Sequence, residues 1–330
     1  MRIFITGATG FIGRALVNAL SILDHQITAL VRDPESPAAQ ALAHSGVRLV
    51  KGDVTDLTSL RAGMADCDTL VHCAAIYQFG AGWLGRRRMS AVNITGTANT
   101  LGIARELGLP RLYYVSTAFA YGETDGETRD ETWQRRSKPK SHYEATKTKA
   151  HELAMAMQQE GAPLTIFCPV AVAGPGDHSS LGQFARLYVR GRMPPVSFGD
   201  GTVSFVHLDD LVAGMTHCID RGRVGETYLL SGGPLGIRDL FATWQTMPGG
   251  AEVTLLWLPR WLAVVFCKAA ELFERLFGLP MLFSADLARS AFMDMRFTGA
   301  KVAEEFGVKF RGPRQVWRDV LNSERRRWLA

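Results

Sequence analysis

Residues 6–13 read TGATGFIG, a glycine-rich run that decides the fold through what stands on either side of it. The apolar segment Arg2–Thr6 precedes the run, and the amphipathic segment Phe11–Ser21 follows it. In a strand–turn–helix unit the first glycine permits the tight turn, and the second lets the backbone approach a pyrophosphate at the helix N-terminus. The run therefore predicts a first βα turn that binds a dinucleotide. The predicted contact residues are Gly7, Thr9, Gly10, Phe11, Ile12 and Gly13.

Strand and helix signals alternate outward from this turn through the first 170 residues. Strands are predicted at Arg2–Thr6, Gln26–Val31, Val47–Lys51, Thr69–Cys73, Arg111–Ser116 and Leu164–Cys168. Helices are predicted at Phe11–Ser21, Pro37–His44, Ser59–Met64, Arg87–Leu107 and His142–Glu160. Such alternation implies right-handed βαβ units and a parallel sheet that is covered on both faces. The sequence thus predicts an α/β fold with a doubly wound parallel sheet, the Rossmann architecture.

The rhythm changes after about residue 170, where Pro and Gly interrupt the chain and the predicted elements become short. This change predicts a second, smaller C-terminal substrate domain over the carboxyl edge of the sheet. Residues 203–219 again read as a strand followed by a helix, which predicts a return to the first domain. The predicted dinucleotide-binding domain is 1–168 plus about 203–221. The predicted substrate domain is about 169–202 and 222–330.

The composition is typical of a globular protein, with 330 residues of which 47% are hydrophobic and 21% are charged. That balance excludes a disordered, collagen-like or coiled-coil chain. The net charge of +5 comes from two arginine triplets, at 86–88 and 325–327, and the other 31 basic residues balance 32 acidic ones. We therefore expect no broad nucleic-acid-binding face.

The cysteines and the N-terminus indicate the compartment. Five cysteines at wide spacings, with no C-x-x-C pair, predict reduced thiols in a cytoplasmic protein. The first predicted strand begins at residue 2, which leaves no room for a signal peptide. No apolar run is long enough to predict a spanning helix. No bound metal is expected.

The choice of nucleotide is predicted from the end of the second strand, where the chain carries Arg32 and Asp33. A guanidinium suits the 2′-phosphate of NADP, because its planar donors and fixed charge match a phosphate. An acidic side chain would instead accept hydrogen bonds from the ribose hydroxyls of NAD. Pro34 follows at once and favours a turn-opening role for Asp33. The prediction is NADP, with NAD as the alternative.

A catalytic constellation is predicted from Tyr143 and Lys147, which form Y-x-x-x-K on a predicted helix. The i, i+4 spacing places both side chains on one face, and an ammonium beside a phenol lowers the phenol pKa, as acid–base chemistry requires. Thr117 follows a predicted strand at its carboxyl end, the edge that carries the ligand crevice in doubly wound sheets. Its hydroxyl can hold a substrate oxygen while Tyr143 exchanges a proton with it.

Eight motifs in order along residues 3–230 resemble those of the extended short-chain dehydrogenase/reductase family, also called the NAD-dependent epimerase/dehydratase family. They are TGATGFIG (6–13), GDV (52–54), VHCAA (71–75), NITGT (93–97), VSTAFAYG (115–122), YEATK (143–147), FCPVAVAGPGD (167–177) and FVHLDDL (205–211). The similarity is greatest to the dihydroflavonol-reductase-like and 3β-hydroxysteroid-dehydrogenase-like branch. The C-terminal third matches more loosely.

The resemblance implies roles for individual residues. Tyr143 would be the acid–base, Lys147 would bind the nicotinamide ribose and tune Tyr143, and Thr117 would hold the substrate oxygen. Ser116 is the alternative to Thr117. The other cofactor contacts that the resemblance implies are Asp53, Val54, Cys73, Ala74, Ala75 and Pro169. It also implies a homodimer built from the helices at 87–107 and 142–160.

Departures from the family pattern concern the substrate. Members that bind nucleotide sugars carry an Asn three residues before Gly174 and an Arg two residues before Phe205, where this chain has Ala171 and Val203. A buried diphosphate without such partners would be poorly compensated. An apolar small-molecule substrate is therefore expected. The predicted substrate contacts are Tyr77, Phe79, Trp83 and Phe119.

Residues 258–278 carry apolar side chains at helical spacing with charges mostly opposite, which predicts an amphipathic helix. A stripe that faces the core is the first interpretation. A lid over an oily substrate and a peripheral membrane contact are the alternatives.

The predicted function is an NAD(P)(H)-dependent oxidoreductase that reduces a carbonyl, or oxidises a secondary alcohol, of an apolar molecule. The alternatives are an NAD-dependent sugar epimerase and an acyl or thioester reductase. A dinucleotide-sensing protein without activity is disfavoured, because Tyr143 and Lys147 are both present.

Overall fold

A computed structural model describes residues 1–247, 254–277 and 283–329. Its strands are β1 (Arg2–Thr6), β2 (Gln26–Val31), β3 (Arg48–Lys51), β4 (Thr69–His72), β5 (Arg111–Val115), β6 (Leu164–Pro169), β7 (Ala171–Ala173), β8 (Val196–Phe198), β9 (Thr202–His207), β10 (Thr227–Leu230), β11 (Pro234–Gly236), β12 (Leu256–Leu258) and β13 (Asp294–Met295). Its α-helices are α1 (Phe11–Ile22), α2 (Pro37–His44), α3 (Leu57–Met64), α4 (Trp83–Ser90), α5 (Thr97–Glu106), α6 (His142–Gln159), α7 (Ser180–Val189), α8 (Leu208–Arg221), α9 (Ile237–Gln245), α10 (Arg260–Phe277), α11 (Ala285–Ser290), α12 (Ala300–Phe306) and α13 (Pro313–Leu329). A π-helical segment, Ala91–Gly96, joins α4 to α5, and the 3₁₀ turn Ala118–Tyr121 follows β5.

A parallel sheet of seven strands, in the order β3-β2-β1-β4-β5-β6-β10, forms the centre of the described chain. Its inner strands are almost entirely buried, because helices cover both faces of the sheet. On the helical layers, α1 packs against α8, and α5 packs against α3 and α6. The strand order reverses between β1 and β4, and this switch point opens a crevice at the carboxyl ends of the strands. The predicted doubly wound Rossmann architecture is therefore confirmed.

A second, smaller unit lies at that carboxyl edge. In it, β9 pairs with β7, β11 and β13, and β8 pairs with β12. Its apolar core is aromatic: the ring of Trp317 lies 5.3 Å from that of Trp244 and 5.5 Å from that of Phe205. Helix α13 contributes Trp317 and packs along α7 and α9.

Strand pairing divides the chain differently from the predicted ranges at two places. Strand β9 lies in the small sheet, although about 203–221 was assigned to the dinucleotide-binding domain; only α8 of that range packs on the large sheet's helical layer. Strand β10 extends the large sheet beside β6, although 222–330 was assigned to the substrate domain. The reason is topological, because a right-handed crossover through α8 returns the chain to the open edge of β6.

Within the described ranges, no helix is both long enough and apolar enough to cross a bilayer.

Candidate active site

The turn after β1 depends on its glycines. Gly7 adopts a left-handed φ of +73°, and a Cβ placed on it would lie 2.7 Å from the Ala74 nitrogen. A Cβ on Gly13 would collide with the Gly7 carbonyl oxygen, so α1 packs directly on the turn. Gly10 precedes α1 without a side-chain hydrogen bond to the helix. The first N–H groups of α1 are therefore left to an anion from outside the chain.

This cradle fits the pyrophosphate of a dinucleotide. The fit rests on two features, namely backbone approaches that leave no space for a side chain and a helix N-terminus without a side-chain cap. Thr9 and Gly10 are exposed at the tip of the turn, while Phe11 and Ile12 are half-buried at the start of α1.

At the end of β2 the two rival side chains differ in what they bind. Asp33 accepts a hydrogen bond from the Glu35 N–H at 3.0 Å, and its carbonyl oxygen accepts one from the Ser36 hydroxyl at 2.8 Å. Asp33 thus opens the turn that leads into α2. Arg32 is exposed, and no hydrogen bond or ion pair involves it among the described residues.

The remaining predicted cofactor residues lie at or just after the carboxyl ends of β3, β4 and β6, on either side of the switch point. The Asp53 carboxylate accepts hydrogen bonds from the Thr55 N–H at 2.9 Å and the Thr55 hydroxyl at 2.7 Å. Val54 is buried against Gly96, and Pro169 is buried at the end of β6. The segment after β4 places Cys73 and Ala74 half-buried and Ala75 exposed. Burial raises the pKa of the Cys73 thiol to about 12, which keeps it protonated.

Tyr143 lies in the first turn of α6, and three aromatic rings surround it. The ring of Tyr77 stands 4.8 Å away at 85°, that of Phe119 6.0 Å away at 78°, and that of Phe79 6.1 Å away at 83°. These are edge-to-face contacts, which aromatic pairs favour. The structure thus brings three of the four predicted substrate residues to the predicted acid–base.

Trp83 is the exception among the predicted substrate residues. Its side chain is 71% exposed at the start of α4, and the Arg87 guanidinium lies 5.8 Å from the centre of its ring. In the sequence, Trp83 follows Tyr77 and Phe79 closely, within the glycine-containing stretch 76–84. The loop ends at Gly82, however, and α4 begins with Trp83 pointing outward.

Lys147 is buried one helical turn after Tyr143, and its ammonium is anchored by β5. Nζ donates to the Tyr114 hydroxyl at 3.1 Å and to the Val115 carbonyl oxygen at 3.0 Å. An ammonium has three N–H donors, so one remains for a ligand. Burial lowers the pKa of Lys147, and the neighbouring Tyr143 opposes that shift.

The electrostatics of Tyr143 combine opposing effects. Burial raises its pKa, while the positive charge of Lys147 and hydrogen bonding with Thr117 lower it. In the free protein the burial effect is larger, so the phenol is protonated at neutral pH.

Thr117 and Ser116 face different partners, although they are neighbours in sequence. Thr117 precedes the 3₁₀ turn, where its hydroxyl accepts a hydrogen bond from the Phe119 N–H at 3.3 Å. The Ser116 hydroxyl is 2.9 Å from His151 Nδ1 inside the protein. Of the two hydroxyls, that of Thr117 is the one beside Tyr143.

A buried polar chain supports the segment after β4, and the sequence reasoning did not identify it. The Ala74 N–H donates to Thr6 Oγ1 (3.3 Å), and that oxygen is 2.7 Å from His72 Nδ1. His72 Nε2 is 3.0 Å from Thr97 Oγ1, which donates to the Asn93 carbonyl oxygen. The Thr97 proton is thus used, so His72 carries its proton on Nε2. Burial lowers the His72 pKa to about 3 and keeps the ring neutral.

Arg135 is a second supporting residue near the site that the sequence reasoning missed. It forms a buried ion pair with Glu144 of α6 and donates to the Phe119 carbonyl oxygen at 2.8 Å. It therefore ties the 3₁₀ turn after Thr117 to the helix that carries Tyr143. No local motif marks it, because the pair spans a loop without regular spacing.

Comparison with known proteins agrees with this geometry. The model of the NAD dependent epimerase/dehydratase family matches residues 3–231. The chain belongs to this family. The resemblance inferred from the motifs is thereby confirmed, and the protein is an enzyme of the oxidoreductase type whose family depends on a nicotinamide dinucleotide.

Two relatives and one solved structure are similar to this chain over most of its length. The 4-hydroxy-2-methyl-3-oxo-4-farnesyl-3,4-dihydroquinoline-1-oxide ketoreductase of Stigmatella aurantiaca is 31% identical over 72% of this chain and 70% of that protein. Sterol demethylase protein B of Methylococcus capsulatus is 30% identical over 79% of this chain and 78% of that protein. The crystal structure of gox2253 covers 99% of this chain and 98% of its own, with a TM-score of 0.81 and 26% identity.

Proposed function

We propose that this enzyme uses NADP(H) to reduce the carbonyl group, or to oxidise the secondary alcohol, of an apolar small molecule. The observation that carries the proposal is the aromatic enclosure of Tyr143 by Tyr77, Phe79 and Phe119. A substrate whose oxygen meets Tyr143 must place its neighbouring atoms against these rings. The enclosure offers apolar contact area rather than charged partners for a diphosphate.

The chemistry proposed for this chain is a proton transfer at one oxygen. In the reductive direction the protonated Tyr143 phenol donates its proton to the carbonyl oxygen, and the Thr117 hydroxyl holds the same oxygen. Lys147 stabilises the phenolate that remains, because its positive charge lowers the pKa of Tyr143. The dinucleotide, when bound, supplies the hydride to the carbonyl carbon or accepts it from the alcohol. Hydride on carbon and proton on oxygen together give the secondary alcohol.

The residues that would hold the cofactor are those of the glycine turn and the crevice. Gly7, Gly10 and Gly13 permit the pyrophosphate to approach the start of α1. Lys147 donates to two protein acceptors, so its third N–H is available to a ribose hydroxyl.

Support for NADP over NAD comes from the contrast at the end of β2. Asp33 uses its carboxylate on the Glu35 N–H, whereas Arg32 is exposed with its guanidinium available. A guanidinium pairs with a 2′-phosphate through charge-assisted hydrogen bonds.

The test is a turnover screen with three substrate groups: hydrophobic ketones, nucleotide-diphosphate sugars and acyl thioesters. We expect NADPH-dependent reduction of hydrophobic ketones, with the secondary alcohol identified by mass spectrometry. Epimerised sugar without net consumption of cofactor, or reduction of the thioesters alone, would contradict the proposal. Mass spectrometry of the nucleotide that copurifies provides the matching observation on the cofactor.

A further inference from the structure

Helix α10 is apolar on two faces. Its inward face buries the side chains of Ala263, Cys267 and Ala270. The predicted stripe that faces the core is therefore wrong for several apolar residues of α10, which are exposed instead. The outward apolar residues, each between 43% and 69% exposed, are Trp261, Val265, Leu272, Phe273, Leu276 and Phe277. Residue 278 of the predicted 258–278 helix lies outside the described residues.

Four of these side chains form a line along the helix. Trp261, Val265, Leu272 and Leu276 follow each other, with Lys268 between them, at spacings of three or four residues. Residues at these spacings share one helix face. At 1.5 Å per residue the line is roughly 22 Å long. It is exposed and convex rather than a groove for a narrow ligand.

A second exposed apolar pair follows the loop that ends at Gly82. Trp83 and Leu84 at the start of α4 are 71% and 73% exposed. The loop that precedes them contacts the C-terminal half of α10 and the start of α11, because Gly80 lies against the Glu271 carboxylate and Ser284. The Gly80 N–H also donates to Asp286 at 3.3 Å. This loop carries Tyr77 and Phe79, whose rings contact Tyr143, and it leads directly into Trp83 and Leu84.

The charges around these residues are basic. Lys268 lies within the line on α10, and the exposed triplet 86–88 follows Trp83 and Leu84. Of the acidic residues of α10, Glu271 turns inward to accept the Ala285 N–H at 2.9 Å. Glu274 is two positions from Leu272 and so lies on the other side of the helix. An anionic occupant therefore complements this surface.

A second copy of the chain is a poorer occupant. A twofold contact through this face would bring its cations close to their own symmetry mates, which is unfavourable. An anionic bilayer instead takes up the apolar side chains and attracts the arginines and Lys268, as it does for interfacial amphipathic helices.

We propose that the surface formed by Trp83, Leu84, Trp261, Val265, Leu272 and Leu276 docks on an anionic lipid bilayer. We call it the docking surface. Docking places the loop of Tyr77 and Phe79 at the membrane and gives an apolar substrate a path that avoids bulk water. Binding to lipid does not depend on the proposed reaction, so an experiment can refute the docking proposal without refuting the proposed function, and the reverse.

The test is cosedimentation of the full chain, without substrate or cofactor, with two kinds of vesicle. One contains phosphatidylcholine alone, and the other contains equal parts of phosphatidylcholine and phosphatidylglycerol. We expect the wild type to sediment with the anionic vesicles, and less so as salt is raised. Leu272→Glu combined with Leu276→Glu should weaken binding by more than about tenfold, because two apolar side chains leave the interface. Arg87→Gln should weaken it about fivefold.

Ile22→Glu is the matched control, because Ile22 is 82% exposed at the end of α1 and outside the docking surface. It should bind like the wild type, and all variants should keep the wild-type Tm. The proposal is overturned if the wild type stays in the supernatant, or if the Leu272/Leu276 variant binds as tightly as the control. It is also overturned if light scattering shows that this variant dissociates an oligomer in the absence of lipid, since the surface would then be a protein contact.

Discussion

The ammonium of Lys147 is positioned by the sheet, not by its own helix. The Tyr114 hydroxyl and the Val115 carbonyl oxygen, both from β5, accept its hydrogen bonds. The Tyr114 ring in turn stacks on His72 of β4 at 5.6 Å. Two neighbouring strands therefore fix the position of the ammonium that tunes the Tyr143 pKa. Y-x-x-x-K spacing predicted the pair but not this support, because a tyrosine in a buried strand has the same sequence signal as a core residue.

Tyr114→Phe should lower kcat/KM by about tenfold, since a hydrogen bond to a charged group contributes roughly 1.5–3 kcal/mol. Loss of this acceptor destabilises the ammonium, which lowers the Lys147 pKa further. The Tyr143 pKa then rises, because less positive charge faces the phenol. In the oxidative direction, which needs the phenolate, the pH–rate profile should shift to higher pH. Tyr113→Phe is the matched control: its hydroxyl donates to the Ile219 carbonyl oxygen, away from the site. An unshifted pH–rate profile for Tyr114→Phe would show that the Tyr114 hydroxyl does not tune the Lys147 charge.

The preference for NADPH should reside in Arg32. A charge-assisted pair with the 2′-phosphate is stronger than a neutral hydrogen bond, with roughly 1.5–3 kcal/mol at stake. This predicts about 10- to 100-fold tighter binding of NADPH than of NADH. In fluorescence titrations Arg32→Ala should remove most of the difference and leave NADH affinity nearly unchanged. If Asp33→Ala instead weakens NADH selectively, the acidic residue reads the ribose and the cofactor is NAD.

Arg135 joins two elements, the 3₁₀ turn Ala118–Tyr121 and helix α6. Its partner Glu144 is fully buried, and the Glu144 carboxylate also accepts the Lys140 N–H at 2.7 Å. Arg135→Met leaves that carboxylate without its cation. We expect a loss of about 3–5 kcal/mol in the free energy of unfolding, because one member of a buried pair cannot remain charged without cost.

Denaturant titration checks this prediction with two further variants. Adding Glu144→Gln to Arg135→Met should recover a large part of the loss, since the uncompensated charge disappears. Arg136→Met is the control, because Arg136 and its partner Asp125 are both exposed and such pairs contribute little. If Arg135→Met is no less stable than Arg136→Met, the ion pair between Arg135 and Glu144 does not contribute to the free energy of unfolding.

Among the elements, sequence predicted those whose signals are local. Five of the six predicted strand starts in the first 170 residues are right, and the remaining strand begins one residue later than predicted. The long helix predicted at 87–107 is found as α4, a π-helical segment and α5. The site of β10 could not be predicted, since its pairing with β6 is a long-range choice. Helix α10 was predicted, but which of its two apolar faces is buried depends on the elements packed against it.

For the whole molecule we propose a homodimer in which α5 and α6 pair with their counterparts. The exposed residues of these helices include three small ones, Ala98, Gly102 and Ala156, and small residues let helices approach closely. Leu101 of α5 is fully buried in the protomer's own core and is not available for this contact.

Gly102→Arg should convert the dimer to a monomer in light scattering. A Cβ on Gly102 meets nothing within 4 Å, so the protomer accommodates the side chain and only the partner's approach is blocked. Gly312→Arg is the matched control, because its Cβ also meets open space, away from α5 and α6. Equal masses for the two variants would place the dimer contact elsewhere.

The central claim is that Tyr143 moves the proton in a hydride-transfer reaction on an apolar carbonyl compound. The most direct measurement compares turnover of a hydrophobic ketone by the wild type and by Tyr143→Phe, with cofactor affinity titrated in parallel. General acid–base catalysis contributes typically about 10²- to 10⁴-fold, so turnover should fall by that factor. Cofactor affinity should stay nearly unchanged, since one hydroxyl is lost and Lys147 keeps both of its acceptors. Turnover close to that of the wild type would contradict the account.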